Sequence, residues 1–342
     1  DIWDRESIKS GLYRPLLLIF FDLESRLFGD WLVGYHLANI LTHLLACLLL
    51  FGFLLHLLQK LGGSGKTAML AALLSAVVFA VHPAHTEVVN SVFNRSSIYV
   101  SICAILGLWW LSYWLEKRPL TAWLGLAFVY SIGIFFKEEA LVIPGIAVAL
   151  IFILSDKSFD ERLRRFLPVF ALLIPIAVFF YFRQLAFSAD VGDVSEVSVV
   201  GTAAGLTPPE ARLVPDLEII LAIITNLGLG LKVLLWPHPL QLFYQAPTGM
   251  EFWLLNSLQA GLLATATYLF FKGKPGLAAG LAFYYIAMLP SSRVISVDQI
   301  VPHLAERYLY FPSVGLAITL AIVLMHIIKR YGAQLPIKVG LP

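Results

Sequence analysis

Charge is what this sequence has least of. Asp, Glu, Lys and Arg make up 13% of its 342 residues, against 59% hydrophobic residues and a mean hydropathy of +0.82. Soluble domains carry roughly 25% charged residues, so that class is excluded. Cysteine is scarcer still. Cys47 and Cys103 both lie within apolar runs and read as small core residues, which leaves no disulfide framework and no thiolate metal centre. The ten-residue alternating segments of a membrane β-barrel are missing too. A net charge of +2 carries no footprint for nucleic acid, and no nucleic-acid partner is expected. What the chain does have is a series of apolar runs close to the roughly 20 residues a helix needs to cross a bilayer. The expected class is therefore an all-α polytopic membrane protein.

About nine spans are predicted, at 35–59, 67–81, 98–115, 120–136, 141–154, 166–182, 252–271, 276–289 and 308–328. Residues 16–28 are apolar but interrupted by Asp22, Glu24 and Arg26, a pattern that suits a helix lying in the interface. Residues 188–216 are rich in Gly, Ser, Thr and Pro with little periodicity and read as a loop. The organisation that follows is an outer loop with an interfacial helix over 1–34, a membrane domain over 35–330 and a cytoplasmic tail over 331–342. Gly62-Gly63-Ser64-Gly65-Lys66-Thr67 invites a phosphate-loop reading. That motif requires a glycine where Lys60 stands, so the stretch reads as a turn.

Basic residues give the orientation. Lys60/Lys66, Lys117/Arg118, Lys157 to Arg165, Lys272/Lys274 and Lys329/Arg330 fall in alternate gaps between spans. Placing those gaps and the tail on the cytoplasmic side collects 13 Lys and Arg there against 4 acids. Two consequences follow from parity. The run over 217–236 would begin and end outside, which predicts a re-entrant, horizontal or interior-packed helix. Residues 1–34 would also lie outside, so a span is expected to precede Asp1.

With that orientation, the dense polar motifs all fall on the outer face. They include Tyr13-Arg14-Pro15, His36 with His43, His82-Pro83-Ala84-His85-Thr86-Glu87 with Arg95, Lys137-Glu138-Glu139, Pro237-His238-Pro239 and Glu306-Arg307-Tyr308-Leu309-Tyr310. Ionisable groups at membrane depth are costly and mark functional sites by default. Each motif alone is better explained by loop charges or interfacial aromatic anchors; their gathering on one face favours a site. His82, His85 and Glu87 are metal-ligand types, but Pro83 breaks the helical spacing that would aim both imidazoles together. A divalent cation such as Mg or Mn, held by carboxylates plus a substrate phosphate, fits better than structural zinc.

Tyr13-Arg14-Pro15-Leu16, Gly34-Tyr35-His36-Leu37-Ala38-Asn39, His82 to Glu87, Lys137-Glu138, Leu235-Trp236-Pro237-His238-Pro239-Leu240 and Ala305 to Gly315 occur in one order that resembles the TMTC family. These are the transmembrane and tetratricopeptide-repeat O-mannosyltransferases, with bacterial relatives, in the GT-C glycosyltransferase superfamily. The resemblance spans residues 1 to about 328 and implies a multi-helix membrane enzyme of a bacterial inner membrane or the endoplasmic reticulum. Such an enzyme uses a polyprenyl-phosphate-linked sugar donor, transfers on the luminal or periplasmic side, and has a protein or glycan acceptor. It also implies a main acidic pair upstream of Asp1 and a repeat array after Arg330, neither of which this chain contains.

Glycosyl transfer from a lipid phosphate requires a base for the acceptor hydroxyl and cationic help for the leaving phosphate. The cations available are Arg14, Lys137 and Arg307, with Arg95 behind them, and Arg307 and Lys137 are the leading phosphate contacts. Glu87 and Glu138 are the carboxylates for the catalytic role. His36, His82, His85, Glu306 and Tyr310 complete the expected substrate-binding set. An alternative of a different class is a non-catalytic subunit that keeps the same scaffold within a membrane complex. A transporter lacks support, since no inverted repeat or series of buried mid-span acids is visible.

Overall fold

The computed structural model describes residues 13–154, 161, 167–188, 217–244, 247–291 and 304–331. The loop expected at 188–216 and the tail expected at 331–342 lie almost wholly outside them. The described residues form α1 (Pro15–Phe28), α2 (Leu32–Lys60), α3 (Gly65–Ala80), the short α4 (Thr86–Asn90), α5 (Ser96–Trp114), α6 (Pro119–Phe136), α7 (Ile143–Leu154), α8 (Leu173–Ser188), α9 (Leu217–Leu235), α10 (Gly249–Phe271), α11 (Gly276–Met288) and α12 (Tyr310–Tyr331). The only strand-like feature among them is an isolated bridge between Tyr244 and Leu304. This is an all-α polytopic membrane protein. Among the described residues six helices are long and apolar enough to span, seven if α3 and the bent segment after it are one span. The remaining expected spans are represented by shorter helices: α7 runs 12 described residues and α11 runs 13.

The helices pack as neighbours in sequence and then across it. α5 pairs with α6, α11 with α12, α2 with α3, and α12 closes back on α3. Without a hydrophobic drive between apolar helices in lipid, close approach depends on small residues. At the α11–α12 crossing a Cβ on Gly315 would come within 2.6 Å of the Gly280 carbonyl, and one on Gly280 within 2.7 Å of the Gly315 carbonyl. Only glycine fits at either place. Outward faces stay apolar, as on α2, where Ile40, Leu41, Leu44 and Leu48 are all exposed. In a chain of this composition they are lipid-facing side chains. Cys47 and Cys103 are free and buried.

The bundle has two unlike ends. At one lie the turn between α2 and α3, where Gly62 takes φ 77° and Ser64 caps α3 by accepting from the Thr67 N–H, and the C-termini of α5, α10 and α12. Lys60 donates to the Ser112 carbonyl at 2.7 Å and Lys329 to the Gly62 carbonyl at 2.8 Å at this end. The glycine-rich stretch is thus a capped turn. The opposite end carries the bends after α3 and α6 and the starts of α5 and α12. α9 runs antiparallel to α10, since Lys232 meets Glu251 at 2.7 Å while Gln259 donates to the Ile224 carbonyl at 3.0 Å. Of the geometries expected for 217–236, the helix therefore lies alongside its neighbours and rises toward the polar end.

Candidate active site

The His82 to Glu87 segment begins where α3 must stop. A residue before proline avoids the helical region, and His82 is extended at ψ 124°, with the chain bending by 53°. Its ring Nδ1 accepts the Ala84 N–H at 3.2 Å, and Nε2 faces the Leu234 carbonyl at 2.8 Å. A carbonyl only accepts, so Nε2 carries the proton and both nitrogens are occupied. His43 is used the same way, with Nε2 on the Ala80 carbonyl at 3.1 Å and Nδ1 on the Tyr310 hydroxyl at 2.7 Å. His85 is buried, 2.9 Å from the Ser313 hydroxyl, with its ring 4.5 Å from Phe79 and 4.6 Å from Tyr310. These rings form a cage that ties α2, α3 and α12 together. His82, His85 and Tyr310 are consumed by it.

The four expected cations all lie at this end, and each meets a carboxylate. Arg14 bonds Glu138, with Nε 3.0 Å from Oε2. Arg95 forks onto Glu24 of α1, with one contact at 2.8 Å. Lys137 meets Glu139 and donates to the Ser97 hydroxyl at 2.8 Å, and Ser97 in turn is 3.3 Å from Glu139 Oε2. Arg307 reaches Glu87 through Nη1 at 2.7 Å and its own backbone N–H at 2.8 Å. The Lys137 and Arg307 pairs are continuous: Ser97 lies 3.5 Å from the Arg307 carbonyl, and the Tyr308 ring sits 5.7 Å from Lys137 Nζ and 5.0 Å from the Arg307 guanidinium.

Local backbone explains the arrangement. α6 ends because Lys137 is extended, at φ −163° and ψ 143°, and a 3-10 turn starts at Glu138. Three consecutive charged side chains therefore diverge, Glu138 toward Arg14 and Lys137 with Glu139 toward Ser97. Exposure then separates the pairs. The Arg95 and Lys137 side chains are 1% and 7% exposed, whereas the Arg307 side chain is 24% and Glu138 40% exposed. Only the last two can readily meet a ligand. Burial raises the Glu138 carboxyl, but Arg14 and then Lys137 outweigh it and hold the group below the usual carboxylate range.

Glu306 does not face outward. It is buried and accepts from the Gln241 N–H at 2.8 Å and the Tyr244 hydroxyl at 2.9 Å. Burial, and then the bond to Glu306, push the Tyr244 hydroxyl up to about 12. This clamp holds Phe243 with its ring 5.1 Å from the Arg307 guanidinium. His36 is exposed near the start of α2 and is not brought into the cluster. Sequence reasoning did not single out Glu24, Ser97, Gln241, Phe243 or Tyr244 for the site. Glu139 had only its place in the Lys137 motif. Among the described residues no three His, Cys, Asp or Glu side chains gather to hold a metal ion. A divalent cation here would have fewer than three such side chains from the described residues, with substrate oxygens making up the rest of its shell.

With this geometry in hand, relatives sharpen the picture. Protein O-mannosyl-transferase TMTC4 of Homo sapiens is 27% identical over an alignment that takes in 94% of this chain and 49% of that protein. The chain is TMTC-like. Tmtc3 of Drosophila melanogaster is 35% identical over 118 residues, 30% of this TMTC-like chain and 13% of the fly protein. TMTC3 of Homo sapiens is 31% identical over 156 residues, 43% and 16% of the respective chains. The TMTC-like chain thus spans about half the length of TMTC4, and the other two alignments cover far less of those relatives. No family model and no solved structure matches it.

Proposed function

We propose that the polar end of this bundle is the active face of an integral-membrane glycosyltransferase. It moves a mannose-like sugar from a polyprenyl-phosphate donor to a hydroxyl of a protein or glycan acceptor. The observation that carries the reading is that Arg307 and Glu138 are the more exposed members of a group of ion pairs gathered at one end of the bundle, in a chain whose relatives are named O-mannosyl-transferases. In the reaction the acceptor oxygen bonds to the anomeric carbon as the bond from that carbon to the phosphate oxygen breaks. The hydroxyl proton passes to a carboxylate, and the polyprenyl phosphate departs with its charge. Within the guanidinium Glu87 takes Nη1 and the Tyr308 side chain makes a further bond, which leaves part of the planar fork for phosphate oxygens. Glu138 stays ionised beside Arg14, which suits it to orient the acceptor hydroxyl or share a cation more than to hold a proton. The basic loops at the other end support a luminal or periplasmic location for the polar end, in the endoplasmic reticulum or a bacterial inner membrane.

The test uses the full-length protein in detergent or vesicles, with a polyprenyl-phosphate mannose donor and a hydroxyl-bearing acceptor. Arg307→Ala should abolish transfer while the protein still inserts and folds. Full activity in that variant removes Arg307 from the site. One observation favours the second reading, a non-catalytic scaffold of a membrane complex with other subunits. Every candidate cation already has a carboxylate of its own, which is what a purely structural network needs. That reading predicts no transfer by the wild type, and lower stability in the same variants.

A further inference from the structure

The basic end holds a cavity of about 420 Å³ that the proposed reaction does not use. It opens between the lower halves of α2, α5 and α7, at the far end of the bundle from Arg307 and Glu138. Its walls are aliphatic and aromatic, formed by Phe53, Leu57, Leu108, Leu111, Leu150 and Ile151, all buried. Its polar lining is confined to Lys60, Ser112 and Glu116, with Lys60 and Glu116 exposed. A space whose inside is hydrocarbon and whose rim is charged matches an amphiphile: chain in, head at the rim.

The sign of the rim selects the head. Lys60 stands there with its ammonium held 2.7 Å from the Ser112 carbonyl, and Lys117 and Arg118 follow Glu116 directly, on the faces of Tyr113 and Trp114. Among the described residues Lys60, Glu116, Lys117 and Arg118, cations outnumber the carboxylate three to one, which makes this side of the rim positive. The volume falls within the roughly 300–1,000 Å³ of small-molecule sites. We propose that this cavity takes one acyl chain of an anionic phospholipid from the leaflet at the basic end, its phosphate held by the Lys60 rim. This is a binding site separate from the polar end.

Native mass spectrometry of the full chain, released from micelles holding equal phosphatidylglycerol and phosphatidylcholine with the same acyl chains, tests it. One phosphatidylglycerol should be retained per chain. Lys60→Gln should lower the preference for it by about fivefold, the equivalent of roughly 1 kcal/mol for one lysine at an anionic headgroup. Ala147→Phe, which fills the cavity, should remove the bound lipid. Because that variant can fail by misfolding, a phosphatidylglycerol with a photoactivatable acyl chain is used on the wild type as well. Labels mapped to Phe53, Leu57, Leu108 or Leu150 support the site. Labels confined to outward faces such as Leu124 and Phe128, or equal retention of both lipids by the wild type and Lys60→Gln, overturn it.

Discussion

The two ends of this bundle handle positive charge in opposite ways. At the basic end Lys60 and Lys329 bond backbone carbonyls at helix C-termini, and Lys117, Lys272 and Arg330 lie against aromatic rings. Cations there complement helix dipoles and cap carbonyls that helices leave open. At the polar end Arg14, Arg95, Lys137 and Arg307 each face a carboxylate and are largely withdrawn from solvent. The first arrangement serves topology, since any cation in a short loop satisfies it. The second demands a specific partner, which for Arg14, Arg95 and Arg307 comes from a distant part of the chain.

The contrast can be broken first where burial is deepest. Arg95→Ala strands the Glu24 carboxylate, and removing one partner of a buried pair costs about 3–5 kcal/mol. Thermal unfolding in detergent should show the largest loss of any single charge removal here. A loss as small as that of a basic-end lysine would end the comparison. Second, Lys137→Met should destabilise strongly because Ser97 and Glu139 lose a shared donor. Lys137→Met combined with Glu139→Leu should recover most of that loss, since an apolar pair of similar volume replaces a buried ion pair at little cost. Urea or thermal melts of the single and double variants check it.

Third, Glu138 gives a pH signature. Its folded value is depressed, so the Arg14 pair contributes above the unfolded carboxyl value of about 4.3 and is lost as pH falls through the lower folded value. Wild type should exceed Glu138→Gln in stability at pH 7, with the gap closing in acid. The side chain is 40% exposed, so the gap is held to about 1 kcal/mol or less. Fourth and smallest, Lys329→Gln should shift stability by no more than about 0.5 kcal/mol, the ordinary size for a surface change.

Much of this was legible in the residues. Hydropathy located the helices, and the basic gaps at Lys60, Lys117, Lys272 and Lys329 marked one end of the bundle. The motif set grouped Arg14, Glu87, Arg95, Lys137, Glu138 and Arg307, which the fold gathers at one end. The pairings were hidden because they join residues 71, 124 and 220 positions apart, with no local period to betray them. Glu24 read as one more charge interrupting an interfacial helix, yet it neutralises the most buried arginine. His82 and His85 looked like ligands because their types suit metal. Their partners, the Leu234 carbonyl and the Ser313 hydroxyl, come from elements whose approach the sequence does not announce. Tyr244 and Phe243 carry no signal beyond being aromatic residues after a Pro-rich turn.

The central claim is that Arg307 works on a substrate phosphate and does more than pair with Glu87. Arg307→Lys separates those roles, because lysine keeps the charge beside Glu87 but loses the planar fork. With mannosyl transfer and thermal unfolding measured on the same preparation, the variant should unfold near the wild-type temperature while transfer falls about 100-fold, the scale for losing a donor at a developing charge. Wild-type transfer rates in Arg307→Lys, or a fall in transfer matched by loss of folded protein, would contradict it.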